Sequence, residues 1–93
     1  MAVAEICLFP LGTGSPSVGG YLEPVMDVIR KSGLKHRVCP MGTVVEGSVE
    51  EILELVKACH EAILKAGAER VIISLRIDDR TDKPLTIEGK MRV

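Results

Sequence analysis

Tryptophan is missing from this chain, and phenylalanine and tyrosine occur once each. Proteins that hold single-stranded nucleic acid stack its bases on aromatic side chains, and almost no such platform exists here. A formal net charge of -1 also removes any general attraction to a phosphate backbone. No segment reaches the roughly 20 consecutive apolar residues that span a bilayer. The first residues, Met1-Ala2-Val3-Ala4-Glu5, lack the basic lead of an export signal. Neither nucleic acid nor membrane is expected as a partner, and a cytoplasmic location is expected. The three cysteines, Cys7, Cys39 and Cys59, form no closely spaced pair, so they read as small buried hydrophobes and not as a disulfide or metal framework. His60 follows Cys59, but neighbours on a helix point about 100° apart and cannot grip one ion without further ligands. No metal ligand set and no cofactor motif is written in the chain.

What is present is ordinary for a folded domain: 93 residues, 46% hydrophobic and 27% charged. That length supports one modest core, so residues 1–93 are expected to form a single domain. Ala4, Ile6 and Leu8 alternate with Glu5, Cys7 and Phe9, which predicts a strand from Ala2 to Phe9 closed by Pro10. The stretch from Pro10 to Gly20 carries turn chemistry and is long for a connection in so small a domain. Leu22, Val25, Met26 and Ile29 then recur at helical spacing, with Gly33 as a stop. Pro24 fits only the first turn, so this helix is expected to begin near Leu22. Two strands, His36 to Met41 and Thr43 to Glu46, are predicted around a turn at Gly42.

Ser48 and Glu51 have capping-box spacing ahead of a second helix that ends before Gly67. Its buried stripe is predicted to be Val49, Ile52, Leu53, Val56, Cys59, Ile63 and Leu64. Arg70 to Asp78 alternates as a last strand, and the tail from Leu85 to Val93 is expected to add an edge strand. Strand, helix, strand, strand, helix, strand with right-handed crossovers gives the ferredoxin-like βαββαβ fold, a four-stranded antiparallel sheet with both helices on one face. Its uncovered face would carry Glu5, Cys7, Phe9, Ser74 and Arg76. That mixture suits a second subunit, with Glu5 and Arg76 neutralising each other.

The candidate chemistry lies in two near-copies of one phrase, Pro10-Leu11-Gly12-Thr13 and Pro40-Met41-Gly42-Thr43. They read as two loops meeting at one ligand site, with Gly14, Ser15 and Ser17 continuing the first and Glu46 the second. The first loop resembles a phosphate cradle poorly, having no Lys-Ser or Lys-Thr after its second glycine and Ser17 where a dinucleotide fingerprint needs glycine. Gly12 and Gly14 alternatively only permit a sharp turn. Glu46 is either a solvated carboxylate near a helix start or the partner of a cationic or amino-bearing ligand. Arg76 is an ion-pair partner or a ligand contact, and Phe9 stacks on a ring or fills a core or interface. His36 and His60 have no neighbour at triad or dyad spacing, so no catalytic residue is nominated and the chain is expected not to be an enzyme.

Taken together, Pro10 to Ser15, Pro40 to Thr43 with Glu46-Gly47, Arg76 to Arg80 and Gly89-Lys90 resemble the small thiamine-binding proteins related to YkoF. The resemblance covers essentially the whole chain. It implies a ferredoxin-like subunit that pairs through its sheets into dimers and often tetramers, and that binds thiamine or its hydroxymethylpyrimidine part without catalysis. Carried over by matching position, the ligand would lie near Gly12, Thr13, Gly14, Ser15 and Ser17, with Thr43 and Glu46. The alternative expectation is a regulatory or assembly module that acts through its sheet-to-sheet interface.

Overall fold

The computed structural model describes residues 1–92. Strand β1 (Ala2–Pro10) leads into α1 (Gly19–Lys31), β2 (Lys35–Cys39) and β3 (Gly42–Gly47), then α2 (Val49–Lys65) and β4 (Val71–Asp79). A short helix, α3 (Ile87–Lys90), follows. The strands form one antiparallel sheet in the order β2-β3-β1-β4, with α1 and α2 on the same face. This is the ferredoxin-like fold that the element order predicts.

Strand parity divides the two faces. Ala4, Ile6 and Leu8 of β1 and Val45 of β3 are buried against Val25 and Ile29 of α1 and Ile52, Leu55, Cys59 and Ile63 of α2. Burying each of the valine, leucine and isoleucine side chains among these contributes about 1.5–3 kcal/mol. The predicted stripe of α2 is corrected at three positions: Leu55 is buried, whereas Leu53 and Leu64 are exposed. A helix presents only one stripe to the sheet, and Leu55 lies three residues from Ile52 and four from Cys59 on that stripe.

The caps explain the helix ends. Ser48 Oγ accepts from the Glu51 amide at 3.1 Å while Glu51 Oε1 accepts from the Ser48 amide at 2.9 Å, the reciprocal box expected from the sequence. Helix α1 differs from expectation, beginning at Gly19 and so placing Pro24 beyond the first turn. Its start is held by backbone instead of a side-chain cap, with the Tyr21 and Leu22 amides both donating to the Val18 carbonyl. Gly19 and Gly20 therefore join the helix despite their low propensity.

The tail also departs from the expected edge strand. Thr86 Oγ1 accepts from the Gly89 amide and caps α3, and Ile87 is buried. Val93, the last residue of the expected strand, lies outside the described residues. The short helix packs against β3 with Ile87 buried between them.

Candidate functional site

The sheet register decides which candidate residues meet. Ile6 pairs with Thr43, Glu5 with Val44 and Val3 with Glu46, so β3 runs away from the end of β1 where the first loop begins. Thr43 lies on the helix face and is buried. Glu46, three residues on, lies on the opposite face and about 10 Å farther along the strand. The expectation of two loops converging with Thr43 and Glu46 in one site is therefore corrected. Only Pro40 and Met41 form the hairpin turn; Gly42–Gly47 is strand, and successive strand side chains alternate between faces.

Glu46 has a different occupation. Its carboxylate accepts from the Ile87 amide at 3.0 Å and so ties the tail to the sheet. Lys35 pairs with Glu88 at 2.6 Å and Lys90 with Asp78, which fixes α3 from both sides. The Glu88 side chain raises the pKa of Lys35, and Lys35 lowers that of Glu88.

At the loop end of the sheet, a cavity of about 380 Å³ opens between α1 and the β2–β3 hairpin. Phe9, Thr43, Leu22, Met26, Cys39 and Met41 are among its walls. It is an apolar, sulfur-rich slot with one buried hydroxyl, within the size range of small-ligand pockets. Phe9 is partly exposed there, so a ring face is accessible. The first loop spans the gap from Phe9 to Leu22, the two cavity residues flanking it, but Gly12, Thr13, Gly14, Ser15 and Ser17 do not line the slot.

The loop instead satisfies itself. Thr13 Oγ1 donates to the Ser15 carbonyl at 2.8 Å, and Ser15 Oγ accepts from the Ser17 amide at 3.1 Å. Gly12 and Gly14 have φ of +73° and +79°, the left-handed region where a side chain is strained. The turn-forming reading of both glycines thus has a direct structural basis.

On the open face, Arg76 stands opposite Glu5 in the register. In the single chain the two are not within ion-pair distance. Arg76 and Phe9 share this face but belong to different cavities. The expectation of three buried cysteines is corrected too: Cys59 is buried, with its thiol pushed up to about 11 by desolvation, while Cys7 and Cys39 are half-buried on the open face. Sequence reasoning missed the slot's α1 wall, Leu22 and Met26, although both were assigned to the helix. Their exposure at the helix edge depends on how α1 crosses the sheet. Among the described residues no helix is long and apolar enough to cross a membrane, and no three His, Cys, Asp or Glu side chains cluster as metal ligands.

Comparison with known proteins converges on one family. The family model described as thiamine-binding protein matches residues 4–93. A UPF0045 protein of Methanocaldococcus jannaschii is 43% identical over 90 residues, covering 97% of this chain and 88% of that protein. Its crystal structure superposes with a TM-score of 0.88, covering 98% of this chain and 92% of the other. A Bacillus cereus domain of unknown function gives a TM-score of 0.89 at 29% identity, over 97% of this chain and 86% of that one. A Thermotoga maritima protein provisionally assigned to thiamine biosynthesis or salvage gives 0.83 at 28% identity, over 97% of this chain and 94% of that one.

Proposed function

This chain belongs to the thiamine-binding protein family, and from that premise we propose that it is a non-catalytic binding protein for thiamine or its hydroxymethylpyrimidine moiety, using the slot at the loop end of the sheet. The observation that carries this reading is the family match across residues 4–93. The slot suits the ligand in size and character. Phe9 offers a ring to stack on the pyrimidine, Met26 and Met41 supply polarizable contacts, and Thr43 hydrogen-bonds a ring nitrogen or the amino group. Gly12, Thr13, Gly14, Ser15 and Ser17 act from the loop beside the slot, as a flap whose polar groups exchange their internal bonds for ligand contacts. Glu46 and Arg76 are left to other roles.

A second reading follows from the open face, where Phe9, Ile72 and Met91 are exposed. Two copies pairing through these faces would form a homodimer, and two dimers a homotetramer, with the module acting through assembly.

The first experiment is a thermal-shift titration against thiamine, thiamine phosphates and hydroxymethylpyrimidine. Binding to the folded state alone stabilises it by about 2.7 kcal/mol at a hundredfold the dissociation constant. A saturable shift with one of them is expected. Absence of a shift with all of them removes the ligand reading and leaves assembly as the function.

A further inference from the structure

The sheet order β2-β3-β1-β4 leaves two edges, and they differ in kind. β2 is five residues long and carries Lys35, His36 and Arg37, a short basic edge that discourages pairing with another strand. β4 runs for nine residues in unbroken register with β1, contains no proline, and from Val71 to Ile77 bears only Arg76 as a charge. Among the described residues, no backbone hydrogen bond reaches its outer side. Its helix-face row is incompletely covered: Val71, Leu75 and Ile77 are half-buried, and Ile73 is 38% exposed. Above this edge lies α2, with α1 packed along its far flank. Rotating from the core stripe of Ile52, Cys59 and Ile63 toward β4, α2 presents Val56, His60, Leu53 and Leu64 in turn. Leu53 and Leu64 are 50% and 43% exposed and stand three turns apart on that flank.

We propose that the β4 edge and this flank of α2 together form an interface for a second copy of the chain, β4 pairing antiparallel with the partner's β4 about a two-fold axis at Ser74. In that register Ile73 faces the partner's Leu75, and Val71 faces the partner's Ile77. The helix-face row is then apolar throughout, and Asp78 and Asp79 fall outside the ladder. The same two-fold reverses α2, which brings Leu53 toward the partner's Leu64 and Lys57 beside the partner's Glu61. Strand and helix flank are thus self-complementary under one operation, as an isologous contact requires. An unrelated strand could add to the ladder but would leave the leucine flank unmatched. Pairing doubles the four-stranded sheet edge to edge. It uses neither the stacking of open faces nor the slot, so the inference stands apart from both readings above.

The test is sedimentation equilibrium of the full chain across the micromolar range, for wild type and for the double variant Leu53→Glu, Leu64→Glu. Wild type is expected to associate, and the double variant to have half its mass: monomer in place of dimer or, where open faces also pair, dimer in place of tetramer. Both leucines are exposed, so the variant should keep a native circular dichroism spectrum. Hydrogen exchange supplies an independent readout on wild type. Those amides from Val71 to Ile77 that point away from β1 should be protected in the oligomer, and should exchange about tenfold faster or more in the double variant. A monomeric wild type, an unchanged mass in the double variant, or unprotected outward amides in a wild-type oligomer overturns the proposal. Pairing through open faces alone produces the last of these outcomes, with Cys7 shielded and the outer side of β4 still exchanging.

Discussion

The Glu46 carboxylate accepts a hydrogen bond from the Ile87 amide, 41 residues later, at 3.0 Å. That contact joins the middle of the sheet to the tail and seats Ile87 in a buried position. A charged acceptor on a backbone donor contributes about 1.5–3 kcal/mol when shielded and less at a half-exposed site. Glu46→Ala is therefore expected to lower stability by about 1 kcal/mol. Hydrogen exchange should locate the loss in residues 86–91 while the sheet keeps its protection. Uniform loss of protection would show that the tail is no separate unit.

The box at the start of α2 gives a sharper expectation. Ser48→Ala removes the acceptor for the Glu51 amide and should cost about 1 kcal/mol, or a fall of roughly 4–8 °C in Tm for a domain of this size. Ser48→Gly should cost only a few tenths of that energy. Equal losses for both variants would assign the effect to something other than the cap.

Acid should weaken the fold through a small set of exposed carboxylates. Hydrogen bonds from Ser48 lower the pKa of Glu51, Arg80 lowers that of Asp82, and Lys35 lowers that of Glu88. A depressed folded-state pKa contributes stability above the unfolded value, and that stability is lost as pH falls through the folded one. Urea midpoints should thus decline below the ordinary carboxylate range. Lys35 has the opposite sign: its raised pKa adds stability that is present below the ordinary lysine value and is lost above it. Because all four groups are exposed, each slope should be shallow and salt-sensitive.

Thiol labelling should separate the three cysteines. Buried Cys59, with its pKa near 11, is expected to resist iodoacetamide until the chain unfolds, whereas Cys39 reacts in the native state. Cys7 reports on the open face, and pairing of sheets would protect it more as protein concentration rises. Mass spectrometry of tryptic peptides reads each site. Native labelling of Cys59 at the rate of Cys39 would contradict the packing of α2 against the sheet.

Within the slot, Phe9→Ala should weaken thiamine binding about tenfold, corresponding to about 1.4 kcal/mol, the upper part of what an aromatic pair contributes beyond area. Titration calorimetry measures this directly. Unchanged affinity would move the ligand away from the loop end, and unchanged melting of the variant would show that Phe9 is not needed by the core.

The element order, both long helices and the Ser48–Glu51 box were legible in the sequence, because hydrophobic period and capping are local properties of a few adjacent residues. The positive-φ turns at Gly33 and Gly67 belong to the same class, since each closes its helix with a conformation glycine adopts without strain. Strand parity was legible as well, and it already places Thr43 and Glu46 on opposite faces of β3. The repeated Pro-x-Gly-Thr phrase suggested a shared site, yet Gly12 takes a positive φ in the first loop while Gly42 opens β3 without one, so the two copies adopt different backbones. What tertiary structure alone decided depends on contacts between distant residues. The register of β3 on β1 and β2 aligned Arg37, Val44, Glu5 and Arg76 into one row. The Glu46 carboxylate captured a tail whose alternating pattern favoured a strand, and the crossing of α1 opened the slot beside Phe9. Local periodicity specifies which face of an element is apolar, but partner, register and crossing are set only when those faces compete for the same core.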